Sequence, residues 1–378
     1  MVDANGGLVL RLTVALTALV VLLVCTTVVT RGWRRRRERA RTAAEAVARP
    51  LILAALDAEN SAAESESASA SESGSGSGSG NALAPNPPQV SPRVGRYLDS
   101  MASAMAGKLR GGDRAALVEL LRRRGSVDRA LRHCRSVFTG RRLRAVELVG
   151  SLGLVEAVPE LAARLDDPDD EVRRAAVRAL GRTAAPDAVP ALLALLDAPQ
   201  RRESEHYITL ALLRMGPPAV EQLTAALRTH GPNGRRAAAK VLGWLGEPHA
   251  AGPLQAALDD AEPAVRSAVV EALGRIGLPA PAPAMRELLR SDQPSPVRVA
   301  AAVALGRLGD PRSAEALAGL LTEPHLLARS AASALALLGP AGLTVLRAHA
   351  HVPEVGEVLI GRADAELPDL VTTAGGRS

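Results

Sequence analysis

The chain has 378 residues, with 46 basic and 40 acidic side chains and a formal net charge of +6, yet only one phenylalanine, two tyrosines and two tryptophans. Leucine, valine and alanine must therefore build its core, which excludes an aromatic-rich globule and suits stacked helices, and two cysteines exclude a disulfide framework. The basicity is local: residues 1–110 hold 13 basic and 9 acidic side chains, 111–153 hold 10 and 4, and 154–378 hold 23 and 27. Most of the chain thus lacks the basic stripe that a nucleic-acid-wrapping surface needs, and no nucleic-acid partner is expected.

Residues 1–11 read as a short extracytoplasmic terminus, followed by a transmembrane helix over 12–30. The stretch from Leu12 to Val29 is uncharged; at about 1.5 Å per residue it spans roughly 27 Å, close to the hydrocarbon thickness of a bilayer. Arg31, Trp33, Arg34, Arg35, Arg36 and Arg37 follow at once, whereas the other flank offers only Asp3, Arg11 and the α-amine. The positive-inside rule places the arginines in the cytoplasm and Trp33 at the membrane interface. The expected location is the inner membrane, single-pass, with the amino terminus outside. A cleavable signal would reverse this charge order.

Residues 31–58 form a basic juxtamembrane segment, in which Pro50 to Asp57 is apolar enough to lie on the membrane or to cap the helices that follow. Residues 59–93, rich in serine, glycine and glutamate, read as a disordered tether.

From Val149 a helix-ending phrase recurs, as in Ala-Leu-Gly-Arg-Ile-Gly ending at Gly277. Its seven copies close at Gly153, Ala184, Gly216, Gly246, Gly277, Gly309 and Gly339, which are 31, 32, 30, 31, 32 and 30 residues apart. A fixed period of this length marks a solenoid, whose units bury their apolar faces only by stacking. In one copy Val172, Ala175, Ala176, Ala179, Leu180 and Thr183 fall on one helical stripe, and the closing residue is expected in the left-handed conformation. A shorter helix precedes each copy, as over Pro186 to Asp197, where Pro190 is tolerable only in a first turn. The expected fold is all-α, with a solenoid of two-helix repeats over 94–366 and a flexible tail over 367–378.

The segments Asp-Asp-Pro-Asp-Asp-Glu-Val-Arg-Arg-Ala-Ala at 166–176, Asp-Asp-Ala-Glu-Pro-Ala-Val-Arg-Ser-Ala at 259–268 and Ser-Asp-Gln-Pro-Ser-Pro-Val-Arg-Val-Ala at 291–300 resemble bacterial HEAT repeats, in the short form first named from phycobilisome lyases. The resemblance covers roughly residues 111–366. It implies the fold, and functions that range over lyases, scaffolds, adaptors and enzyme appendages.

Two columns of residues recur across the repeats. Two positions before each close stand Ser151, Arg182, Arg214, Trp244, Arg275, Arg307 and Leu337, and eleven before it Arg142, Arg173, Glu205, Arg235, Arg266, Arg298 and Ala328. Nine residues at 100° each is two and a half turns, so the columns flank the apolar stripe on opposite sides. Tryptophan among arginines is the composition of a binding hot spot, which makes Arg182, Arg214, Trp244, Arg275 and Arg307 the candidate partner-binding residues. The family resemblance implies that Arg173, Arg235, Arg266 and Arg298 instead form an inter-repeat ladder with Asp169, Asp259 or Asp292. The cluster Arg122 to Arg124, Arg129, Arg132, Arg135, Arg141, Arg142 and Arg144 reads as a solvated helix face.

No phosphate loop, dinucleotide fingerprint, CxxC or His-Glu-x-x-His is present. Deoxyhypusine hydroxylase, a HEAT-like enzyme, draws its iron ligands from His-Glu dipeptides, and this chain has none. His349 and His351 are expected on different sides of a helix, and Cys134 as a buried thiol. No catalytic residue, metal or cofactor is assigned. The expected function is a membrane-anchored cytoplasmic scaffold that binds a protein partner; the alternative is a lyase-type or regulatory protein acting on a cofactor-bearing protein.

Overall fold

The computed structural model describes residues 31, 38, 42–54, 57, 91–109, 111–198 and 205–359. The expected membrane helix, the interface residues 33–37, most of the tether and the tail lie outside these. Among the described residues no helix is long and apolar enough to cross a membrane. They fall into two compact units that divide between Arg132 and His133.

In the first unit, helical residues 42–54 bury Ala44, Ala48 and Ile52, one side of a helix at every fourth position. Pro50 to Asp57 thus contributes Ile52 to a buried stripe. Helix α1 (Pro92–Ala106) starts two residues before the expected first repeat, because Ser91 accepts a hydrogen bond from the Val94 amide at 3.5 Å and Pro92 fits the first turn. It buries Leu98, Ala102 and Ala106, and α2 (Gly111–Arg123) buries Ala116, Leu117 and Leu121. Helix α3 (Ser126–Cys134) follows, and the division falls in its last turn.

The second unit is a run of helix pairs in two layers. One layer holds α4 (Thr139–Leu152), α6 (Asp170–Thr183), α8 (Glu205–Met215), α10 (Pro232–Leu245), α12 (Pro263–Ile276), α14 (Ser295–Leu308) and α16 (His325–Leu337), each packed on the next. The other holds α5 (Val158–Ala162), α7 (Val189–Asp197), α9 (Val220–Thr229), α11 (Ala251–Ala256), α13 (Ala282–Glu287), α15 (Ala314–Ala318) and α17 (Pro340–Ala348). The expected stripe on α6 is wholly buried, together with Val177 and Gly181, because neighbours cover the helix on both flanks. Leu180, Leu192, Leu193 and Leu212 are fully buried, each stabilising by about 1.5 to 3 kcal/mol. The expected helix from Pro186 to Asp197 divides into a 3-10 turn at Pro186–Ala188 and α7, which places Pro190 in a first turn.

All seven closing residues have positive φ, from 52° at Ala184 to 80° at Gly277. Gly216 and Gly339 adopt ψ −151° and −139°. Each precedes a proline, which disfavours the helical region, and that combination of angles is essentially restricted to glycine.

A second glycine, inside the helix, sets the spacing between neighbouring helices of the first layer. A Cβ on Gly181 would lie 2.8 Å from Ala211 Cα, on Gly243 2.5 Å from Ala272 Cα, on Gly274 2.7 Å from Ala304 Cβ and on Gly306 2.7 Å from Ala334 Cα. Gly150 meets Ala179 in the same way. At the α8–α10 junction these two positions are Leu213 and Val241, and the contact between those helices is the least extensive in the layer.

Candidate functional site

The position after each of these inner glycines, Gly150 excepted, is exposed. Arg182, Trp244, Arg275 and Arg307 occupy it on α6, α10, α12 and α14, Arg214 occupies the matching position on α8, and all five are exposed. Trp244 is 48% exposed, with the Arg275 guanidinium 5.8 Å from its ring centroid. That cation–π contact ties α12 to α10 while Arg275 also reaches Glu271 at 3.2 Å. The ends of the column differ in kind: Ser151 is buried and bonds to the Leu148 carbonyl, and Leu337 is an exposed apolar side chain.

Arg182 sits among like charges. Partial burial, and then the neighbouring Arg214 and Arg178, pull its pKa below the ordinary arginine value, against an opposing pull from Glu147. Arg178, Tyr207 and Leu210 share this exposed face and were not assigned from sequence. Spacing held the signal: Arg178 lies four residues before Arg182, and Leu210 and Tyr207 lie four and seven before Arg214.

The second column joins repeats, with acids other than those expected. Arg142 makes a two-point ion pair with Asp167, Nε to Oδ2 and Nη2 to Oδ1 both at 2.8 Å, while its Nη1 bonds to the carbonyls of Ser136 and Val137. Arg235 meets Asp260 in the same fashion at 2.7 and 2.9 Å, and Arg298 meets Glu323 at 2.8 Å. Each acid lies 25 residues ahead, in the loop of the following repeat. Asp169 is unavailable as a rung because its carboxylate caps α6, accepting from the amides of Glu171 and Val172. Asp292 lies beside Arg290 instead.

Arg266 departs from the expected inter-repeat role. Arg173 bonds to the carbonyls of Asp167 and Pro168 and to the Asp170 carboxylate, and Arg266 to the carbonyls of Asp260 and Ala261, all in their own repeat's loop. Asp167 and Asp260 are thereby held twice, by the carboxylate from one repeat and by the carbonyl from the next. Burial alone would raise the pKa of both carboxyls, but the Arg142 and Arg235 bonds and a backbone amide hold them below the usual range. Arg142 also corrects the reading of its cluster as solvated, since it is 7% exposed.

At the α8–α10 junction charge replaces the glycine contact. Glu205 receives Arg236 at 2.6 Å and Lys240 at 2.8 Å, and these two outweigh burial in setting its lowered pKa. Asp197, from the preceding repeat, caps α10 by accepting from the amides of Asn233 and Gly234.

Among the described residues the histidines and the cysteine make no comparable assembly. Among the described residues no group of three or more His, Cys, Asp or Glu could hold a metal ion. His349 and His351 do not point apart, because α17 ends at Ala348; their rings stack with centroids 6.1 Å apart, and His349 Nδ1 lies 2.9 Å from the Val345 carbonyl. Cys134 is buried, and burial pushes its thiol up to about 11, away from the reactive thiolate.

Residues 138–212 and 250–337 match the family model of HEAT repeats, and residues 234–260 match that of the PBS lyase HEAT-like repeat. No curated protein matches the chain. Similar solved structures include an engineered protein (19% identity, 70% of this chain and 83% of that chain, TM-score 0.34) and human deoxyhypusine hydroxylase in complex with glycerol (22%, 64% and 90%, 0.30). The karyopherin Kap121p bound to the SUMO protease Ulp1p is another (15%, 74% and 35%, 0.47). The family matches fall on the helix pairs described above, and the repeat region is an all-α solenoid of HEAT repeats that includes a PBS lyase HEAT-like repeat.

Proposed function

We propose that this protein is a membrane-anchored scaffold whose solenoid holds a protein partner at the cytoplasmic face of the inner membrane. Stacked repeats of this kind present extended surfaces suited to binding. The observation that carries the reading is Trp244, half exposed on a row of guanidinium groups in a chain with two tryptophans. Burial of such a ring against a partner supplies apolar area and cation–π contact together. The anchor rests on the uncharged run from Leu12 to Val29 and the arginines after it, which also orient the repeats toward the cytoplasm.

The test is to crosslink in intact cells, identify the captured protein and measure its affinity for variants. Trp244→Ala should weaken binding by about 2 kcal/mol or more, the scale of a hot-spot truncation, with melting temperature unchanged. Arg235→Ala, which leaves Asp260 without its partner, should lower melting temperature and spare affinity in the folded protein. Melting caused by Trp244→Ala with capture intact would refute the binding role. For the anchor, protease added to spheroplasts should spare the repeats; their digestion beside a protected cytoplasmic control would refute the orientation.

A further inference from the structure

Two adjacent helices, α6 and α8, bring exposed basic and apolar side chains together. The exposed side of α6 carries Arg178 and Arg182 at i and i+4, and that of α8 carries Tyr207, Leu210 and Arg214 at i, i+3 and i+7. Tyr207 and Leu210 are 44% and 53% exposed. The close approach of Gly181 to Ala211 brings the two helices together, and Arg182 and Leu210 directly adjoin that contact in sequence. Elsewhere in the solenoid Arg142, Arg235, Arg286 and Arg298 each have a carboxylate within 3 Å. Arg178, Arg182 and Arg214 make no ion pair or hydrogen bond among the described residues, although they crowd one another. Three guanidiniums without an ion-pair partner, of which Arg182 also feels the charge of Glu147, lie beside an exposed phenol and an exposed leucine and are complementary to a ligand that is both anionic and apolar.

We propose that the α6–α8 face binds an acidic peptide segment bearing aromatic or aliphatic side chains, its carboxylates on Arg178, Arg182 and Arg214 and its apolar groups on Tyr207 and Leu210. This rests on the protein-partner reading above and names the chemistry of that partner. A nucleic acid fits less well: residues 154–378 carry 27 acidic against 23 basic side chains, which repel a polyanion extending past the patch, and a phosphate backbone makes no use of Leu210.

The test is fluorescence anisotropy on the full chain in detergent micelles, with labelled Glu–Tyr copolymer, poly-glutamate and oligothymidylate as probes. The Glu–Tyr copolymer should bind tightest and weaken as salt rises. Arg178→Glu with Arg182→Glu should cost about tenfold or more in affinity, the scale of lost interfacial charge pairs. Leu210→Ala should remove most of the preference for Glu–Tyr over poly-glutamate, with far-UV circular dichroism unchanged in both variants. Unaltered binding by the double arginine variant, no binding of either acidic probe, or tighter binding of oligothymidylate would overturn the proposal. If the double variant still captures its cellular partner while Trp244→Ala does not, the scaffold reading stands and this face is not the site.

Discussion

Ala184 holds φ 52° and ψ 24°, a left-handed conformation in which its Cβ crowds the following carbonyl. The other six repeat closures are glycine. Ala184→Gly should therefore stabilise the fold by up to about 1 kcal/mol, the relief of steric strain less glycine's extra entropy in the unfolded chain; a lower melting temperature would contradict this. Asp167 is the opposite case, a charge kept because it is paired. Its carboxyl is held below the ordinary range, so its stabilising contribution is complete above the unfolded pKa near 3.9 and is lost as pH falls through the folded value. Asp167→Asn should cost about 3 kcal/mol at neutral pH by stranding the buried Arg142 guanidinium. It should also flatten the loss of stability below about pH 4, because one acid-titrating group is gone. Chemical denaturation at neutral and acid pH checks both statements. The arginine column was legible because its period is that of the repeat. Its acids were not: Asp169 and Asp167 differ by two residues, and which one caps a helix and which faces the preceding repeat depends on how the loop folds.

Between neighbouring helices the spacing is set by glycine facing alanine. Gly243→Ala replaces a poor helix former by the best one, a gain of about 1 kcal/mol on propensity alone. Its Cβ would nevertheless lie 2.5 Å from Ala272 Cα, a backbone atom, so α10 and α12 must separate. Overpacking of this kind costs about 1 to 3 kcal/mol and wins. Gly252→Ala on α11 meets nothing within 4 Å and should be neutral or stabilising by a few tenths of a kcal/mol. Equal effects of the two substitutions on melting temperature would refute the packing argument. The alanines of the stripe, such as Ala175, Ala176 and Ala179, were visible in the sequence. That Gly181 faces Ala211 was not, because the pairing is a property of two helices in register some thirty residues apart.

Across the whole molecule the period of about 31 residues carried the architecture, since each unit can satisfy its apolar face only by stacking on the next. Of the face proposed to bind a partner, Trp244 and the arginines that share its column were legible in the sequence, whereas Tyr207, Leu210 and Arg178 joined it only when α6 and α8 lay side by side. The central claim, that the layer formed by α4, α6, α8, α10, α12, α14 and α16 is the surface that holds a protein partner, is tested most directly by site-specific photocrosslinking in intact cells. A crosslinking amino acid placed at Arg214 or Arg307, on that layer, is compared with one at Glu221 or Gln255, exposed on α9 and α11 of the other layer. The account predicts one discrete crosslinked species from positions 214 and 307, lost when Trp244→Ala is added, and none from 221 and 255. The same species captured from 221 and 255 but not from 214 and 307 would contradict it.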